Sequence, residues 1–524
     1  MAILQLFTNR GYKDLQAPMV KLTKREKFRI AGSMFIGKLI GLLLLLMGMG
    51  LLPVIFGGVS VHAQDTYTPH ETSLINTANT IWTLVAAFLV FGMQPGFTFL
   101  EAGFARKRES VNILMECVFD TCICGLLFWA IGYAFMFGQG NGFIGWGGGS
   151  LAGGDAKNWF FLQNTPDTYA GTGVPILAHW IFQFAFADTT STVTSGAMIG
   201  RTSFRGDILY SIGVTGFIYP IIGHWAWGPD GFLATMGSAG KFLPSLGTGF
   251  RDFAGSTVVH TIGGMVSLAG AIALGPRLGR VFRRDGGGMP PAHNLNIAVV
   301  GGFILWFGWY GFNPGSTLSA MDMQGIGRVA TNTTLAACAG GVSAMYMALW
   351  FGPNKKKFDV GFTTNGFLGG LVAITCPCYW VSPAGAVMLG LVAGIVVYLA
   401  VNLLEWLRID DPIGAVPVHG ACGMWGTWSL GLFAAGKYGA TGPTGADNSA
   451  PVTGLFYGGG TQVLKAQLIG SLTITIATFV VALILMYAIK LLPFPWKLRV
   501  EKEGELNPGG LDMFEHGTEA YAMD

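Results

Sequence analysis

The apolar positions of this chain fall in long blocks separated by short polar interruptions, with neither the alternation of a strand nor the one-sided stripe of a surface helix. Eleven such blocks follow one another, at residues 78–103, 111–137, 176–199, 208–227, 253–275, 295–312, 326–351, 361–378, 384–405, 413–434 and 464–490. A helix crosses the hydrocarbon core of a bilayer with about 20 residues. Inside lipid the backbone must satisfy its own hydrogen bonds, which an isolated segment does only as a helix. The pattern therefore predicts an all-α polytopic membrane protein with eleven transmembrane helices over residues 64–490. Composition agrees: only 11% of the 524 residues are charged, against about 25% in soluble domains.

Ahead of the first block, residues 1–38 are basic, Leu39–Phe56 is apolar, and Val61-His62-Ala63 precedes Gln64. This reads as a signal peptide over 1–63, cut after Ala63. The rival reading is a retained helix with a cytoplasmic N-terminus; both put Gln64 outside. Lysine and arginine then cluster after every odd-numbered block. Examples are Arg106-Lys107-Arg108, Arg201 with Arg205, Arg277 to Arg284, Lys355-Lys356-Lys357, Arg408, and Lys497 with Arg499. Positive loops stay in the cytoplasm, so the mature N-terminus is expected outside and the tail, 491–524, inside. Five spans per half invert the second half relative to the first. Spans one to five and six to ten then form an inverted 5+5 repeat with a site near the midplane, and the eleventh is a bracing helix.

The candidate chemistry lies in two matching stretches. Residues 252–264 read DFAGSTVVHTIGG and residues 411–423 read DPIGAVPVHGACG, each with a histidine eight residues after an aspartate. Eight helical residues rise about 12 Å, which predicts that His260 and His419 meet near the bilayer centre. A lone histidine there reads equally well as a hydrogen-bonded core residue. Two in matching positions of inverted halves point to function, because ionisable groups at that depth are costly. Phe182 and Phe186, one turn apart, share a helix face, as core aromatics commonly do. Trp227 at a span end reads first as a membrane-belt anchor, and Phe312 and Ser316 lie near the same boundary. The seven cysteines show no zinc spacing,; Cys376 and Cys378 read as buried thiols. No metal site, cofactor or nucleic-acid surface is expected.

Taken together, these residues resemble the ammonium transporter family (Amt, related to the Rh glycoproteins). The resemblance is carried by FLEAGFARKRESVNIL at 99–114, DFAGSTVVH at 252–260, GFNPGS at 311–316, DDPIGAVPVHG at 410–420 and GLDMFEHGTEAY at 510–521. It implies an ammonium and methylammonium transporter rather than an enzyme. It further implies a homotrimer in the cytoplasmic membrane with one pore per subunit, for which a PII signalling protein is a candidate partner at the cytoplasmic face. Phe182, Phe186, Trp227 and Ser316 correspond to the outer recruitment site, Phe186 and Phe312 to the gate, His260 and His419 to the pore pair, and Asp252 to a structural and deprotonation-linked aspartate.

Several positions depart from the family pattern. The third span carries Asp188-Thr189-Thr190-Ser191, where Thr189 is expected to make the pore wall wetter and Asp188 to bond a neighbouring helix or subunit. Gly414 stands where some relatives carry a third aspartate, and Phe514 where plant relatives carry a phosphorylated threonine. His179 and His224 are expected at the interface. Two other function classes remain: a non-conducting ammonium sensor of the same fold, and a haem electron carrier ligated by His179, His224, His260 and His419. Rh-like carbon dioxide conduction is disfavoured by the Trp227 and Ser316 set.

Overall fold

The computed structural model describes residues 67–148, 157–169, 171–238, 240–241, 243–247, 249–352, 357–438 and 451–521. The signal-peptide segment 1–63 and residues Lys355 and Lys356 lie outside them. Helical segments stand at all eleven predicted positions. We label them α1 (Pro69–Phe104), α2 (Lys107–Phe137), α3 (Ile176–Gly196), α4 (Phe204–Trp227), α5 (Ser256–Leu274), α6 (Leu295–Thr317), α7 (Met323–Phe351), α8 (Val360–Thr375), α9 (Pro383–Leu407), α10 (Val416–Ala421 continuing as Cys422–Phe433) and α11 (Gln462–Lys490). Eight of these are long and apolar enough to cross a membrane. The others are α3, which carries the Asp188–Ser191 polar run, α8, which is 16 residues long, and α10.

Helix starts follow local chemistry. Thr68 and Glu71 form a reciprocal capping box, which begins α1 nine residues before the apolar block at 78. Between α2 and α3 the chain forms a small antiparallel sheet that the hydrophobic pattern did not announce. Its strands are β1 (Gln139–Asn141), β2 (Ile144–Gly148) and β3 (Lys157–Asn158), in that order.

Glycine sets how closely the helices approach, as packing without a hydrophobic drive requires. A Cβ on Gly103 of α1 would lie 2.5 Å from the Ala298 nitrogen of α6, and one on Gly301 of α6 would lie 2.4 Å from the Leu100 nitrogen. The crossing of α5 and α10 shows the inverted repeat directly. A Cβ on Gly264 would meet the Gly420 nitrogen at 2.3 Å, and one on Gly423 would meet Thr261 Oγ1 at 2.4 Å. Gly264 and Gly423 each stand four residues after their histidine, and Gly420 and Thr261 each stand one after. The two contacts therefore exchange under the repeat.

Loops after odd-numbered helices share one face. Arg201 Nη2 donates to the Asp410 carbonyl (2.6 Å), Ser203 N donates to the Leu498 carbonyl (3.0 Å), and Arg108 Nη1 donates to the Asn507 carbonyl (3.1 Å). Asp410 is the hub. Arg277 reaches its two oxygens at 2.8 and 2.9 Å, and Arg280 adds a contact at 3.2 Å. Burial alone would raise the Asp410 pKa; the hydrogen bonds and charge of Arg277, with the charge of Arg201, reverse this and hold the carboxyl well below the usual carboxylate range,. The tail packs on the same face of its own chain. Asp512 accepts from Asn112 N at the start of α2 (3.0 Å), and His293 meets Tyr521 at 2.9 Å.

Candidate functional site

The two aspartate–histidine stretches adopt one shared design that differs from an eight-residue helical rise. The α5 helix begins at Ser256, four residues after Asp252, and its first segment, Ser256–Thr261, is a widened π turn. Gly255, just before it, has φ +111°. The Asp252 carboxylate accepts from the backbone nitrogens of Gly255 (3.0 Å), Thr257 (2.8 Å) and Val258 (2.9 Å). Asp411 does the same for Gly414 (2.9 Å), Ala415 (3.1 Å) and Val416 (2.9 Å), and α10 opens with the matching π turn Val416–Ala421. Each aspartate thus satisfies three of the orphan N–H groups at a helix start, and each histidine sits only about one turn inside. Gly414 has φ +83°, and a Cβ there would lie 2.7 Å from Asn365 Nδ2. A third aspartate would be strained at that position.

This construction brings the two histidines together in the protein interior. Nδ1 of His260 lies 3.2 Å from Nδ1 of His419. A neutral imidazole has one donor and one acceptor nitrogen. A shared Nδ1 bond therefore leaves one Nε2 as acceptor and the other as donor. His260 Nε2 is buried without a partner. The His260 ring stacks beside Trp309 and Phe312, at 5.2 and 5.4 Å between centroids.

The aromatic residues stack in series from there toward the face opposite the basic loops. Phe312 stacks on Phe186 (4.0 Å), Phe186 tilts against Phe182 (4.7 Å), and Trp227 meets Phe186 edge-on at 6.1 Å. Trp227 Nε1 donates to the Asp252 carbonyl (2.7 Å). Its ring is mostly buried against Phe186, so the membrane-belt reading does not hold. The partly buried Ser316 gives its hydroxyl hydrogen to the Phe312 carbonyl (2.7 Å), which leaves its oxygen free to accept. On the other side of the histidines a cavity is lined by Phe97, Glu101, Asn365, Gly414, Val418 and His419, among others.

All eight predicted site residues thus belong to one column: Phe182, Phe186, Trp227, Ser316, Phe312, His260, His419 and Asp252. The profile of the Ammonium Transporter Family matches residues 81–521. The chain belongs to the ammonium transporter family. It is 42% identical over 446 residues to ammonium transporter Amt2 of Archaeoglobus fulgidus, covering 84% of this chain and 87% of that protein. It is 39% identical over 466 residues to a putative ammonium transporter of Synechocystis sp., covering 88% of this chain and 92% of that protein. Among solved structures it is similar to a Sensor Amt Protein, with 33% identity, TM-score 0.70, and 85% and 100% of the two chains covered. It is also similar to Saccharomyces cerevisiae Mep2, with 28% identity, TM-score 0.71, and 86% and 93% covered.

Within this family member, four expectations change. His179 and His224 are fully buried, not interfacial. His179 stacks on Tyr169 at 3.7 Å and engages Tyr133 and Gln183, while His224 meets the carbonyls of Met136 (2.9 Å) and Asn141 (2.8 Å). Neither has a ring nitrogen left for a haem iron. Thr189 bonds the Ala185 carbonyl of its own helix (2.9 Å). Asp188 is buried, and neither of its oxygens has a hydrogen-bond partner. Trp309, whose Nε1 donates to Thr375 at 2.9 Å, supports the histidine ring and was not singled out from sequence. Its only signal was its place one turn before Phe312.

Proposed function

We propose that the column is an ammonium pore. The basic face is cytoplasmic, and the Trp227–Ser316 end faces outside. Ammonium is recruited by the rings of Phe182, Phe186 and Trp227 through cation–π attraction, worth about 0.5–2 kcal/mol, with one N–H accepted by Ser316. The stacked Phe186 and Phe312 rings exclude the hydrated cation. Carrying bare charge past them costs far more than recruitment returns, so the proton is given up near Asp252 and neutral ammonia passes. The donor and acceptor Nε2 atoms of the histidine pair then offer ammonia both kinds of partner in an apolar passage, and the shared Nδ1 bond relays the proton. Potassium has no proton to lose and is rejected at the rings.

The observation that carries this reading is the His260–His419 bond of 3.2 Å with an unpartnered His260 Nε2 beneath the stacked rings. His260→Ala is expected to abolish uptake of labelled methylammonium in a host lacking its own ammonium uptake while the protein still inserts and assembles. Wild-type uptake in that variant would remove the histidine from the mechanism. We read the assembly as a homotrimer with one pore per subunit, with the tail face open to a PII-type regulator. The reading that residues 1–63 are a cleaved signal peptide places the mature N-terminus outside.

A second reading is supported by the similarity to a Sensor Amt Protein along the whole of that chain: the site is occupied but hardly conducts, and the tail transmits its state. Saturable methylammonium uptake separates the transporter from the sensor.

A further inference from the structure

Beside the pore, helices α1 to α4 enclose five fully buried carboxyl groups: Glu101, Glu116, Asp120, Asp188 and Asp207. Among the described residues none of them is within ion-pair distance of a lysine or arginine. Each of four has a single side-chain donor. Ser195 serves Glu101 (3.2 Å), Asn112 serves Glu116 (2.7 Å), Ser211 serves Asp120 (2.5 Å), and Tyr210 serves Asp207. Asp188 has none, and the Thr121 hydroxyl beside it falls outside hydrogen-bond geometry. One oxygen each of Asp120 and Asp207 is also unpartnered. The groups lie within electrostatic reach of one another: Asp120 feels Asp188, Asp207 and Glu101, and Glu116 feels all but Asp188. The other titratable side chains facing them are Cys117, Cys124 and Tyr210.

The same molecule shows what a buried carboxylate anion needs. Asp252 and Asp411 each collect three backbone N–H groups, and Asp410 holds a bidentate arginine. The five have nothing comparable, and five like charges in a low-dielectric interior repel as well as lose their hydration. A bound metal is the other way to compensate such charge. Among the described residues, however, no group of three or more histidine, cysteine, aspartate or glutamate side chains converges to hold one. Protons are what remains. The cluster also has an opening, because Glu101 lines the cavity beneath His419.

We propose that these five residues form a second proton-binding site in which four are held as neutral acids and Glu101, the one open to the cavity beneath His419, exchanges its proton there. Resting on the pore reading above, Glu101 in its carboxylate form accepts the proton arriving from the histidine pair and becomes the neutral acid. It then returns that proton to cytoplasmic water and is restored. Asp188, the least solvated member, holds its proton throughout.

Infrared spectroscopy of the protein in proteoliposomes tests this through the C=O stretch of protonated carboxyl groups, which shifts in D2O. At neutral pH the wild type is expected to show this band, and Asp188→Asn to lose one carboxyl's share. Added ammonium is expected to increase the band in wild type and not in Glu101→Gln, whose ammonium-driven current falls several-fold. Absence of the band at neutral pH would overturn the proposal, since the carboxyls would then be ionised. A band that ignores ammonium and is unchanged by Glu101→Gln would do the same, leaving structural acids only. His260→Ala is the control that separates the two readings. If it conducts like wild type while Glu101→Gln still loses the response, the pore reading fails together with the histidine route to Glu101, and the proton-binding cluster itself stands.

Discussion

At the residue scale, the pair Asp252 and Asp411 divides geometry from charge. Both accept three backbone N–H groups at a helix start, so as caps they are equivalent, each worth about 1 kcal/mol. Only Asp252 also adjoins the aromatic column proposed to recruit ammonium, where its own carbonyl accepts from Trp227 Nε1. Asp252→Asn is therefore expected to fold yet lose most ammonium transport, and Asp411→Asn to be milder. Equal losses, measured side by side in the same uptake assay, would reduce both to helix caps. Trp227→Leu removes a ring wall and leaves the relay, so apparent affinity should fall more than maximal rate; a loss confined to maximal rate would take Trp227 out of recruitment. Much at this scale was legible. The repeated Asp–His spacing could be read from the residues themselves; the aromatic positions came only from the family resemblance, since alone Phe182 and Phe186 read as core and Trp227 as a belt anchor. The carboxyl cluster did not, because its members come from four helices and only tertiary packing shows that Asp188 lacks a partner.

At the element scale, the crossing of α5 and α10 holds the histidines in register. A methyl group on Gly264 would sit 2.3 Å from the Gly420 nitrogen, which is backbone and cannot swing aside. Gly264→Ala should cost about 1–3 kcal/mol as an overpacked contact and separate the imidazoles. Lower thermal stability together with reduced uptake is the expected result, and unchanged values of both would mean the helices separate freely. The hydrophobic blocks predicted where these helices lie. They did not predict the π turns or the late starts at Ser256 and Val416, which depend on left-handed glycines and on aspartates capping from a distance. The sheet between α2 and α3 was also missed, since strands of two to five residues carry almost no periodicity.

At the scale of the whole molecule, the loops of the basic face are tied together through Asp410. Its folded pKa is depressed, so its contribution to stability is fully present above the ordinary carboxylate value of 3.8 and is lost only as pH falls through the lower folded value. Stability should therefore be insensitive to this group from neutral pH down to about the ordinary carboxylate value and fall progressively below it. Asp410→Asn leaves buried Arg277 and Arg201 without their counter-charge and should cost about 3–5 kcal/mol, read as a lower midpoint in thermal unfolding; an unshifted midpoint would make the network dispensable. The most direct test of the proposed pore is the current carried by proteoliposomes when an inward ammonium gradient is imposed. The account predicts a saturable, ammonium-dependent current that potassium does not replace and that disappears in His260→Ala. A current that survives in His260→Ala, or that potassium carries equally well, would contradict it.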